Sequence, residues 1–109
     1  MDMAIIKIYE EFVDNELKST FEALKNKWIE EVGCQSNPRN LYKNKFYQAI
    51  ISMGKKVIPI LIEDFKSPQG DWFQALYEIT GVNPIREGNG GYVPKMIEDW
   101  ENWYKNSYV

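Results

Sequence analysis

The chain has 109 residues, 44% hydrophobic and 15% aromatic, which suits one domain over 1–109 with one core and excludes global disorder. It carries 13 basic and 16 acidic residues, no histidine and one cysteine. Ser-His-Asp and Cys-His catalysis, histidine- or thiolate-built zinc sites and an intramolecular disulfide are therefore excluded.

The lone Cys34 points to a reducing compartment, and the expected location is cytoplasmic. Asp2 stands where a signal peptide carries a basic residue, and Lys7, Glu10 and Glu11 break the apolar run that follows. The longest apolar run, 57–62, is far below the ~20 residues that cross a bilayer, so no membrane partner is expected. Neither GxxxxGK[ST] nor GxGxxG is present; no cofactor is expected and no residue is assigned a catalytic role.

Residues 4–32 read as a helix. Leu17, Phe21, Leu24, Trp28 and Val32 fall on one face with Lys18, Glu22, Lys25, Lys27, Glu30 and Glu31 between them, and Gly33 is a natural stop. Ile5, Ile8, Tyr9, Phe12 and Val13 extend it upstream, with Asp14-Asn15 as a candidate break and 5–8 as an alternative short strand. A polar link, 34–40, follows. Asn37 or Asn40 is a candidate cap for the next helix, and Pro38 suits its first turn. That helix carries Tyr42, Phe46, Ile50 and Met53 and ends at Gly54.

The 57–62 run decides the fold class. Its composition suits a buried strand, but Pro59 lacks the amide hydrogen that a central strand requires. In a helix opening at Val57, Pro59 falls in the first turn, where amide hydrogens have no intrahelical acceptor; Ile58, Leu61 and Phe65 then share a side. The reading is helix. Residues 67–71 form a turn with Asp71 as the expected cap. The helix from Trp72 to Thr80 places Trp72, Leu76 and Ile79 on one face, Phe73 and Tyr77 on the adjoining one, and closes on Gly81. A turn-rich loop, 82–91, precedes a last helix with Pro94 in its first turn and Val93, Met96, Ile97, Trp100, Trp103 and Tyr104 on one face. The expected fold is all-α, a compact bundle of about five helices.

The stretch Met53-Gly54-Lys55-Lys56-Val57-Ile58-Pro59-Ile60-Leu61-Ile62 resembles the Gly-x-x-x-x-Pro-x-Leu joint of a HEAT-type helical repeat, and Ala75-Leu76 with Ile79-Thr80-Gly81 resembles the start of a second unit. The resemblance implies one HEAT-like hairpin over 42–81. With a single clear copy, against the ~3 repeats a solenoid needs, it implies a bundle rather than a superhelix. A wider pattern is similar to a group of short uncharacterised bacterial proteins. It comprises Tyr47-Gln48-Ala49-Ile50-Ile51-Ser52-Met53-Gly54, Val57-Ile58-Pro59, Trp72-Phe73-Gln74-Ala75-Leu76, Ile79-Thr80-Gly81-Val82-Asn83-Pro84, then Met96, Trp100 and Trp103. That similarity implies a bacterial or phage source and carries over no functional residue.

Charge is unevenly placed. Arg39, Lys43, Lys45, Lys55 and Lys56 lie between 33 and 62 with no acidic residue among them, leaving eight basic and sixteen acidic residues elsewhere. With Tyr42, Phe46 and Tyr47 interleaved, these five are candidates for anion or nucleic-acid contact. The plainer reading is a solvated face with its aromatics turned inward. A helix-turn-helix over 57–81 fails on its second helix, 71–80, which is acidic and apolar and suits a core rather than a major groove. Gly88-Asn89-Gly90-Gly91 has the composition of an anion-binding nest, but reads more simply as a flexible connector. The adjacent carboxylates Glu10-Glu11, Glu30-Glu31, Glu63-Asp64 and Glu98-Asp99 diverge on a helix and read as solvated surface.

Five helices of this length cannot bury every aromatic. Phe73, Tyr77, Trp103 and Tyr104, with Tyr108, are the candidates for exposure and for a protein interface. The expectation is a non-enzymatic protein-binding module, a small inhibitor or accessory protein of a bacterial or phage system. Its partner is another protein, and self-association stays open; a nucleic-acid role through 39–56 is the alternative.

Overall fold

The computed structural model describes the backbone of residues 3–33, 38–67 and 70–108, and the side chains of 15–33, 41–67 and 70–107. Cys34 and Asn37 lie outside the described residues, as do the side chains of Arg39, Asn40 and Tyr108. Among the described residues the structure is all-α, with no strand: α1 (Met3–Val32), α2 (Pro38–Lys43), α3 (Lys45–Ser52), a 3-10 turn (Gly54–Val57), α4 (Ile58–Asp64), α5 (Phe73–Thr80) and α6 (Val93–Tyr108). The proline-bearing run is helical, with Pro59 the second residue of α4. Residues 5–8 are helical too, and α1 passes Asp14-Asn15 without a break. No helix is long and apolar enough to cross a membrane. Backbone contacts group the chain into two units, Met1–Val57 and Ile58–Val109, and the boundary falls inside the stretch that resembles a HEAT joint.

In the first unit α1 packs along α3. Phe21, Trp28 and Val32 of the expected stripe are buried, while Leu17 and Leu24 are only half-buried. Lys25 shares the buried face, its long stem able to lie along apolar neighbours. Opposite them Tyr47 and Ile50 are fully buried. The Trp28 and Tyr47 rings sit 5.1 Å apart at 49°, and Tyr42 is 5.4 Å from Tyr47.

The helix expected across 42–53 is broken at Asn44, which raises the helix total above five. Its side chain accepts from the Phe46 amide at 2.8 Å, making it the N-cap of α3, and donates to Glu31 at 2.9 Å. Two carbonyls near the end of α2 are met by side chains: Trp28 Nε1 donates to Leu41 O at 2.7 Å and Gln48 Nε2 to Tyr42 O at 2.7 Å. A lost helical hydrogen bond costs about 1 kcal/mol, whereas each large apolar side chain buried returns roughly 1.5–3 kcal/mol. The break at Asn44 therefore costs little beside the burial of Tyr47 and Ile50 in the same segment. Gly54, at φ 73°, ends the segment as expected.

In the second unit α4 packs on α6. Ile58 and Leu61 are buried on α4, Phe65 just beyond its end, Trp72, Ala75 and Leu76 at α5, and Trp100 on α6. Asp71 is not the cap of α5. Trp72 takes the N-cap position without a side-chain cap bond, and its buried indole donates to Asp64 at 2.8 Å. The turn before it presses so closely on α4 that a Cβ at Gly70 would collide with the Asp64 carbonyl. Gly81 closes α5 in the left-handed conformation, its amide on Tyr77 O at 2.8 Å. On α6, Pro94 lies in the first turn. Met96, Ile97, Trp103 and Tyr104 are half-buried, whereas Val93, at the helix end, is exposed.

Candidate functional site

The five basic candidates are distributed over short elements of the first unit. Arg39 and Lys43 lie on α2, Lys45 opens α3, and Lys55 and Lys56 sit in the 3-10 turn. All four described lysines of this set are exposed. Their aromatic companions are otherwise engaged: Tyr47 is fully buried, Tyr42 packs on it, and Phe46 lies 5.1 Å beneath Lys45 Nζ. The acid-free run in sequence is not acid-free in space. Asn44, between Lys43 and Lys45, holds Glu31 of α1, and Phe46 lines a shallow depression with Lys27, Glu30 and Glu31. Carboxylates at that distance offset the positive field that a phosphate backbone requires.

The second unit brings two of the four interface candidates together. Phe73 and Tyr77 of α5 face, across a groove of about 350 Å³, Asn83 and Ile85 of the following loop and Trp100 of α6, with Gln74 on the rim. Tyr77 is 50% exposed. Phe73 is half-buried and stacks on Phe65 at 4.9 Å and 29°. Trp103 stands outside the groove and meets Trp100 edge-on at 5.3 Å, and Tyr104 is half-buried on the next turn.

The loop wall is fastened rather than loose. Thr80 Oγ accepts from the Val82 amide at 3.1 Å and Asn83 Oδ1 from the Ile85 amide at 3.2 Å, both short Asx- or ST-type bonds. Beyond them Asp99 receives the Arg86 amide at 3.0 Å and Asn89 Nδ2 at 2.9 Å, with the Arg86 guanidinium 3.6 Å away. The reading of Glu98-Asp99 as solvated surface therefore fails for Asp99, which is 6% exposed. The Asn89 side chain, then the Arg86 amide, and more weakly the Arg86 and Lys95 charges hold its carboxyl below the ordinary range against the opposing effect of burial. Gly88-Asn89-Gly90-Gly91 likewise is tied down: Asn89 serves Asp99, its amide bonds Arg86 O, and the Tyr92 amide bonds Asn89 O.

Among the described residues of this unit, one buried side-chain polar atom lacks a partner. Trp100 is 1% exposed, and its Nε1, although buried, has no hydrogen-bond partner. Burying an indole donor without an acceptor costs about 1–3 kcal/mol. Trp28 and Trp72, also buried, both have acceptors.

Sequence reasoning placed Phe73 and Tyr77 correctly as neighbours but missed Trp100, Asn83, Ile85 and Asp99. A signal existed for the last: Asp99 interrupts the apolar face of α6 three residues after Met96 and four before Trp103, and a carboxylate in such a stripe needs donors. Among the described residues no group of three or more His, Cys, Asp or Glu side chains is placed to hold a metal. No known protein family, curated protein or solved structure matches this chain, so the groove is read from its own chemistry.

Proposed function

We propose that this chain is a non-enzymatic protein-binding module of the bacterial or phage cytoplasm, an inhibitor or accessory protein, and that the partner seats on the α5–loop–α6 groove. The observation that carries the reading is Tyr77, half-exposed beside Phe73 over a groove whose far wall is fastened by Asp99. Aromatic side chains on a rigid frame give binding area at low entropic cost, which is how interface anchors work. The absence of histidine from the sequence supports a binding role over a hydrolytic one. The resemblance of 42–81 to a HEAT-type hairpin points the same way, since such surfaces bind proteins.

The test is a photo-reactive benzoylphenylalanine placed at Tyr77, and separately at Lys55, in cells expressing the full chain. A discrete protein adduct from position 77 and none from 55 is expected. Adducts to nucleic acid from 55, or no adduct at 77, would overturn the reading in favour of the basic segment or of neither.

A further inference from the structure

The groove reading leaves open what kind of segment occupies it, and three observations converge on an answer. First, of the buried indoles Trp28, Trp72 and Trp100, the described residues supply an acceptor to two, and the one without lines the groove. An occupant that brings an acceptor relieves a deficit the fold has left in place. Second, the surroundings are unfriendly to an anionic acceptor. Residues 58–109 hold four basic and eight acidic side chains, and Arg86, the basic residue of the groove's loop, is already paired with Asp99 at 3.6 Å. A carboxylate or phosphate would be repelled there, whereas a neutral amide carbonyl is not, and cationic flanks are attracted. Third, Trp100 Nε1 is closed to solvent, while Phe73 and Ile85, which line the same groove, are only half-buried. A rotamer change in a half-buried lining side chain such as Ile85 is a fast way to admit an acceptor.

We infer that the groove is a peptide site. An extended, lysine- or arginine-bearing segment of a partner protein lays an apolar side chain between Phe73 and Ile85 and gives a main-chain carbonyl to the Trp100 indole N–H. The inference rests on the groove being the docking surface and adds the chemistry of what docks.

The experiment follows the indole N–H resonances of the full ¹⁵N-labelled chain, with Trp100 assigned by its loss in Trp100→Phe. The probes are acetyl-Leu-Lys-Lys-amide and its charge-reversed counterpart acetyl-Leu-Glu-Glu-amide, added to millimolar concentration. The lysine peptide should move the Trp100 proton downfield and saturably while Trp28 and Trp72 stay put, and the glutamate peptide should bind more weakly. Trp100→Phe, which keeps the ring and removes the donor, should weaken the lysine peptide about fivefold, the worth of one neutral hydrogen bond. If that variant does not fold, the wild-type titration, with assignment by the other three tryptophan variants, decides alone.

A static Trp100 resonance, or equal affinity for the two peptides, overturns the inference. So does a shift that depends on protein concentration without peptide, which would make the occupant a second copy of the chain. A static Trp100 with a positive cross-link at Tyr77 removes this inference and leaves the binding-module reading standing. Failure of both removes both.

Discussion

Asp99 shows how one side chain converts a loop into a wall. Its two hydrogen bonds reach back ten and thirteen residues, to Asn89 and Arg86, so the carboxylate fixes the loop on which Ile85 stands. Because the folded carboxyl titrates below its ordinary value, its contribution to stability is present above the unfolded-state pKa, about 3.9, and fades as pH falls through the lower folded value. Asp99→Asn keeps one acceptor and removes the charge. It should melt below wild type near pH 7, and the gap should narrow on acidification below about 3.9. A gap unchanged toward pH 3 would show that the charge is not the agent. Asp99 was legible only as a carboxylate set in the apolar face of α6, and Trp100 not at all. Their partners are a dozen positions away or missing, and a single sequence records no such pairing.

Helices were the most legible feature, because a period of 3.6 with glycine and proline at the ends is local information. Pro59, Pro94, Gly54 and Gly81 sit where that logic puts them. Caps fared worse. Asp71 has the right chemistry but Trp72 takes the position, since burying a tryptophan and giving its N–H to Asp64 outweighs a cap bond worth about 1 kcal/mol. Asn44 was hidden within an apparently continuous stripe; the period of Tyr42, Phe46 and Ile50 survives the break because α2 and α3 adjoin with one residue between them. If Asn44 is the cap that begins α3, Asn44→Ala should cost about 1 kcal/mol in urea denaturation with an unchanged m-value. A loss under a few tenths would mean that ring packing on Trp28 alone holds the start of α3.

At the scale of the whole chain, the two sets of candidate residues fall in different units. The exposed lysines 43, 45, 55 and 56 belong to the first, and among the described residues the exposed large apolar side chains Tyr77, Val82, Tyr92 and Val93 lie in the second. Primary structure revealed that asymmetry of charge but not that Glu31 comes to sit against Asn44. The expected outcome in a mobility-shift assay at low salt is no complex with duplex DNA or single-stranded RNA. Retention of the Tyr77 cross-link in K43E/K45E/K55E/K56E would separate the two surfaces. A salt-sensitive complex lost in that variant would return the basic segment to first place.

The double tether on Asp99 has a consequence for how this chain can vary. Surface loops ordinarily absorb insertions because nothing measures their length. Here two donors three positions apart must reach one carboxylate, so that interval acts as a ruler. Substitutions at Glu87 leave the measure intact, whereas one added residue between Arg86 and Asn89 would pull a donor off its mark and let the far side of the cleft drift. Affinity tags or linkers inserted for experiment belong elsewhere.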